Sequence, residues 1–349
     1  MNHSSFWKGK SVLITGVSGT VGGEVLRQLI GESPSEIIGI DNNESELFFL
    51  TEEYRERDNV KLFLGDIRDP EKLIRKSRGV DCIIHTAALK HVILCEQTPR
   101  DPVQTNILGT QNVIDAALAN GVERVIFTSS DKAVNPTNVM GTTKLMGERL
   151  ITAANAHRRN GGALFSSTRF GNVLGSRGSV MPLFRRQIAA GGPVTLTELE
   201  MTRFIMTLSD AVKLVMNSAR LARGGEVFVT KMPIARIADL AQVMIEELAP
   251  RYGYKPEQIQ IKVIGSKPGE KLYEELMNDE ETRRTVELKD YFVVKPAFSN
   301  VYANVDYTYE NTLRVGVDNP YNSSVEKPMS VDELRSYLLK NNLLNEGTN

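Results

Sequence analysis

Cysteine is scarce in this chain: two among 349 residues, Cys82 and Cys95. Neither stands at a metal-ligand spacing, so a thiolate zinc site and a disulfide framework both drop out. The pair reads as small buried hydrophobes in a reducing compartment. Histidine is equally thin at four, and His85 and His91 fit no usual zinc pattern. An excess of one charge is also missing. Lysine and arginine total 42 against 43 acids, with both signs mixed along the chain. That speaks against a nucleic-acid footprint and leaves any anionic ligand to a local site. No apolar run is long enough to cross a bilayer, and MNHSSFWKGK has no apolar signal core. The expectation is a cytoplasmic protein without a membrane part, its polar tail frayed from about Asn341. Repeats, low-complexity segments and a clear linker are absent too.

What is present is a regular alternation. KSVLIT (10–15), EIIGID (36–41), VKLFL (60–64), DCIIHT (81–86), ERVIFT (123–128) and ALFSSTRF (163–170) are short, largely apolar runs. Such runs suit parallel strands covered on both faces. VGGEVLRQLI, DPEKLIRKS and TQNVIDAALANG between them read as helices, the last ending on Gly121. The class is α/β: a doubly wound parallel (Rossmann) sheet with a smaller mixed α/β substrate domain. Residues 1–172 form the expected dinucleotide-binding domain, with 201–231 returning to it. Residues 173–200 and 232–349 form the substrate region. There GEVFVT (225–230) and IQIKVIG (259–265) predict strands, ARIADLAQVMIEEL (235–248) predicts a helix, and KPGEKLYEELM runs from a turn into a helix.

TGVSGTVG (15–22) puts Gly16, Gly19 and Gly22 where the first strand meets the first helix. Glycines allow a tight turn and close approach to a pyrophosphate, and Ser18, Thr20 and Val21 complete the turn at the helix N-terminus. Asp41 closes the next strand, where a carboxylate can bond ribose hydroxyls and disfavours a 2′-phosphate. No arginine follows in DNNESE, so NAD is preferred over NADP. Asp66 and Ile67, in GDIRD, are expected beside the adenine.

The segment SSDKAVNPTNVMGTTK (129–144) sets an acid beside an amine at Asp131-Lys132, after a strand's carboxyl end. A YxxxK signature ending on Lys144 would place tyrosine at position 140. Met140 stands there instead, and a thioether has no proton to exchange. A hydroxyl proton that a tyrosine would carry could go instead to Asp131, to Lys132, or through Ser130 and water, and the sequence does not choose among them.

With HTAALKHV (85–92), TNILGTQN (105–112), RFGNVLGSRGSV (169–180), MTRFIMT (201–207) and KPGEKLYEEL (267–276), these motifs resemble the extended short-chain dehydrogenases/reductases. More narrowly, they resemble the UDP-N-acetylglucosamine 4,6-dehydratases, in the soluble form of the branch with methionine for tyrosine. The resemblance implies an NAD-dependent lyase for surface-glycan synthesis, with C5 configuration retained. It implies Asp131 as the acid expelling the C6 hydroxyl, Lys132 as the base at C5, Ser130 on the 4-hydroxyl, and Lys144 on the nicotinamide ribose, with Ala87 also at the cofactor. For the UDP-sugar it implies Lys90, His91, Asn106, Asn172, Arg177, Arg203, Lys267 and Glu270, with Lys271 nearby. Lys267 replaces the arginine of many relatives and so lacks its bidentate fork. A homo-oligomer, a dimer or larger, is expected. Two other readings stay open: a nucleotide-sugar epimerase acting at C4 or C5, and a non-catalytic NAD-binding regulator.

Overall fold

The computed structural model describes residues 6–157, 162–266, 269–298 and 305–345. In chain order the strands are β1 (Ser11–Thr15), β2 (Glu36–Asp41), β3 (Val60–Leu64), β4 (Cys82–His85), β5 (Arg124–Thr128) and β6 (Leu164–Arg169), then β7 (Asn172–Val173), β8 (Val194–Leu196), β9 (Thr202–Met206) and β10 (Val227–Thr230). The last third adds β11 (Ile234–Arg236), β12 (Ile261–Val263), β13 (Glu275–Met277), β14 (Thr285–Leu288), β15 (Tyr291–Val294), β16 (Thr312–Val315) and β17 (Tyr321–Asn322).

Ten of these build the main sheet, in the order β16-β14-β15-β10-β6-β5-β4-β1-β2-β3. From β3 to β10 every pairing is parallel. The central strands are buried from end to end, as in Ile37 to Ile40 and Cys82 to His85, because helices cover both faces. The strand order reverses between β1 and β4, and the loops after their carboxyl ends form the crevice in which such sheets bind ligands.

The helices follow from their ends. Asp69 accepts from the Lys72 amide at 3.0 Å ahead of Pro70, which starts Pro70–Lys76. Gly121 closes Gly109–Asn120 in the left-handed region, as its sequence position predicts. The helix Leu208–Leu221 packs on Thr20–Ile30. A second core lies apart from the sheet, where Phe184, Leu240, Met244 and Leu334 join three helices, Val180–Ala189, Ile237–Leu248 and Val331–Lys340.

Two segments depart from the sequence reading. KLYEEL does not become a helix. Residues 272–273 bend, and β13 pairs with β17, which satisfies the backbone and buries Leu276 and Met277. The sheet also draws from outside the expected boundaries. β14, β15 and β16 extend it by antiparallel pairing, while β9 sits with β7 and β11 in a separate small sheet.

Candidate active site

β1 ends at a turn that only glycine can make. Gly16 has φ +74°, and a Cβ there would lie 2.7 Å from the Ala87 backbone. A Cβ on Gly22 would lie 2.1 Å from the Gly16 carbonyl oxygen. The helix Thr20–Ile30 thus begins directly against the strand ends, and Gly16, Gly19, Thr20, Val21 and Gly22 line a cavity of about 990 Å³. No side chain caps this N-terminus. Its free N–H groups and dipole therefore suit a diphosphate, and the cradle, which one Cβ would fill, fits a dinucleotide. Asp41, at the end of β2, is fixed beside the glycine turn, accepting from the Ser18 and Asn43 amides at 2.9 Å each. Asp66 is turned to Arg68, whose guanidinium holds the carboxyl down at about 2. Ile67 is buried under Gly109.

Across the cavity, β5 runs into a tight turn, Asp131–Ala133, that Ser130 opens. Asp131 is 1% exposed. Its Oδ1 accepts from Ser130 Oγ at 2.6 Å, the Lys132 amide at 2.9 Å and Lys132 Nζ at 3.0 Å. Nζ also lies 3.3 Å from Glu274 Oε1. Glu274, which the sequence reading did not single out, is 3% exposed, nearly as buried as Asp131. Among the described residues no donor meets Asp131 Oδ2 or Glu274 Oε2. Burial works against the Lys132 ammonium, but the two carboxylates outweigh it and hold its pKa above the usual value. Burial also raises the pKa of Glu274, against the pull of Lys132.

The helix Val139–Ala154 supplies the next two groups. Asn138 caps it, accepting from the Gly141 amide at 2.8 Å. Met140 and Lys144 are four residues apart on one face, both buried and both lining the cavity. Lys144 Nζ donates to the Thr128 carbonyl at 2.9 Å, and burial pushes its pKa down to about 8. Beneath it, His85 contacts the Thr15 and Thr110 hydroxyls at 2.7 and 3.1 Å and is held neutral by burial, its pKa about 3.

The expected sugar-nucleotide residues divide. Lys90, His91, Asn172, Glu270 and Lys271 line the cavity. Asn106 does not present its amide to a ligand. Its side chain bonds both backbone groups of Leu89, at 2.8 and 2.9 Å, and Thr143 Oγ1 at 2.9 Å, so it braces the wall from a wide π-type turn. Arg203 reaches the cavity, but its guanidinium is spent on the carbonyls of Thr202, Lys271 and Leu272 and on Glu274, 3.6 Å away. It clamps the segment carrying Glu274. Arg177 points outward to Glu46 at 2.8 Å, while its carbonyl accepts from Lys90 Nζ. Lys267 lies outside the described residues. Among those, no cluster of metal-ligating side chains occurs, and no helix is long and apolar enough to cross a membrane.

One buried ion cluster anchors the arrangement. Arg169, at the end of β6, pairs with Glu148 at 2.7 Å and Glu281 at 2.8 Å, and donates to the Leu276 carbonyl at 3.0 Å. It ties the lysine-bearing helix to the strand that follows Glu274.

Residues 12–296 match the family described as polysaccharide biosynthesis protein. An uncharacterized membrane protein of Methanocaldococcus jannaschii is 53% identical over 84% of this chain and 88% of its own. A protein of Campylobacter jejuni named UDP-N-acetylglucosamine 4,6-dehydratase (inverting) is 38% identical over 86% and 87%. A UDP-glucose 4-epimerase of Rickettsia canadensis is 36% identical over 97% of both chains. Among solved structures, Pen from Bacillus thuringiensis superimposes with a TM-score of 0.88 at 41% identity, covering 96% of this chain and 98% of that one.

Proposed function

The chain belongs to the polysaccharide biosynthesis protein family, and from that premise we propose that it is an NAD-dependent nucleotide-sugar 4,6-dehydratase acting on UDP-N-acetylglucosamine. The observation that carries this is the bonded row Ser130–Asp131–Lys132 on the cavity wall. The relative named as a dehydratase supports the substrate. The glycine turn, Asp41 and Lys144 would hold NAD, which when bound supplies a hydride acceptor for C4 and a hydride donor for C6.

The chain's own part is to move protons. Oxidation at C4 releases the proton of the 4-hydroxyl. Ser130 Oγ can take it while passing its own proton to Asp131 Oδ1, 2.6 Å away. Asp131 is thereby armed as the acid that the next step needs. Lys132 Nζ removes the C5 proton, the C6–O bond breaks, and Asp131 hands its proton to the leaving hydroxyl as water departs. Lys132 returns its proton to C5. The balance closes with one water lost, and the tyrosine that Met140 replaces has no remaining task. A base that gives and takes on one face retains the C5 configuration.

The 36% identical epimerase keeps a second reading in view. An epimerase forms the same ketone but needs no acid at C6, which leaves Asp131 without a use. Incubation with UDP-N-acetylglucosamine in deuterium oxide separates the two. A dehydratase gives a product with a C6 methyl group and deuterium at C5, whose coupling pattern reads retention or inversion. A product inverted at C4 with its C6 hydroxyl intact would overturn the dehydratase reading.

A further inference from the structure

Lys132 can act as a base only after losing a proton, yet two carboxylates surround it and hold that proton on Nζ. Asp131 cannot relieve it, because on the proposed dehydratase reading Asp131 is already receiving the 4-hydroxyl proton. Glu274 remains. Its Oε1 lies 3.3 Å from Nζ, its Oε2 meets no donor among the described residues, and it is 3% exposed. Once a sugar nucleotide fills the cavity, the 26% of the Lys132 side-chain surface now open to it loses its route to water.

We propose that Glu274 is a positioning residue for Lys132, holding the amine between two carboxylates and accepting its proton when Asp131 becomes protonated. The N–H bond of the ammonium breaks and an O–H bond forms on Oε1, leaving a neutral amine facing C5. Charge sets the order. While Asp131 is an anion, the ammonium has two partners and stays. When the hydroxyl proton reaches Asp131, one partner is lost, and a buried ammonium–carboxylate pair gains by becoming amine and acid. Burial already raises the proton affinity of Glu274. The charged groups facing it are Asp131 and Lys132 from the turn and Arg203 from β9; Lys271 and Glu275, on its own segment, pair with each other at 3.3 Å. Tyr321, from β17, directs its hydroxyl to Met232. Arg203 clamps the backbone just before Glu274 and so fixes where the acceptor stands.

The test compares Glu274→Gln and Glu274→Asp by C5 deuterium exchange with UDP-N-acetylglucosamine, bound cofactor being measured in each to establish folding. Glutamine keeps the shape but cannot take the proton. Exchange in Glu274→Gln is expected to fall by about 100-fold at neutral pH, the usual scale for a lost proton acceptor. It should recover as pH rises, because Lys132 must then shed its proton to solvent before substrate binds. Glu274→Asp, with a retracted carboxyl, should keep more exchange than Glu274→Gln. A merely structural glutamate predicts the opposite ranking and no alkaline recovery. Wild-type exchange in Glu274→Gln, or glutamine outperforming aspartate with an unchanged pH profile, overturns the inference alone. A wild type that binds NAD but neither exchanges C5 nor loses water overturns it together with the dehydratase reading.

Discussion

Gly141 stands directly over the Lys132 carbonyl: a Cβ at residue 141 would lie 2.2 Å from that oxygen. The helix that carries Met140 and Lys144 is therefore docked on the turn that carries Asp131 and Lys132, backbone against backbone. The gap between the two segments, which the proposed mechanism makes catalytic, is set by the absence of one methyl group.

Gly141→Ala must push the turn or the helix away by about an ångström. A displacement of that size at reacting groups costs on the order of 100-fold in rate. The variant should fold and retain NAD while its turnover drops by about that factor in a steady-state assay. Turnover within a factor of three of wild type would mean that the docking distance is not critical.

Much of this was legible in the sequence. Parallel strands announce themselves as short, largely apolar runs, and EIIGID and VKLFL match the buried β2 and the half-exposed edge strand β3 residue for residue. Glycine spacing marks a turn because no other residue tolerates the contacts at Gly16 and Gly22. Glu274 was not legible. KLYEEL has helical composition, and only pairing with Tyr321–Asn322, almost fifty residues later, holds it extended and turns Glu274 inward. The arginines' protein partners were not legible for a related reason. Arg203 and Arg177 fit a phosphate by residue type, and in the ligand-free fold their partners are carbonyls and two acids, Glu274 and Glu46, brought near by tertiary packing.

Met140 is 4% exposed on the cavity wall, and no proton passes through it on the proposed route. Met140→Leu conserves volume and should cost under about 1.5 kcal/mol of stability. Its turnover should stay within about tenfold of wild type. A loss of 100-fold or more with NAD still bound would give the thioether a chemical role.

Lys144 makes stability depend on pH. Burial lowers its folded pKa from 10.5 to about 8. Between those values the unfolded chain binds more protons than the folded one, so the contribution rises with pH across that window. It is fully present above the unfolded value and lost as pH falls through about 8. The full swing is about 3 kcal/mol. Cofactor-free protein followed by denaturant melts should gain stability from about pH 8 to 10 relative to Lys144→Met. Parallel pH profiles for the two proteins would contradict the buried, destabilised charge.

The central claim is that Ser130, Asp131 and Lys132 carry out dehydration without a tyrosine. Its most direct measurement is mass spectrometry of UDP-N-acetylglucosamine incubated with the purified protein and no added cofactor, with bound NAD quantified in the same sample. The account predicts a product lighter by one water at constant NAD content. Bound NAD with the substrate mass unchanged would contradict it.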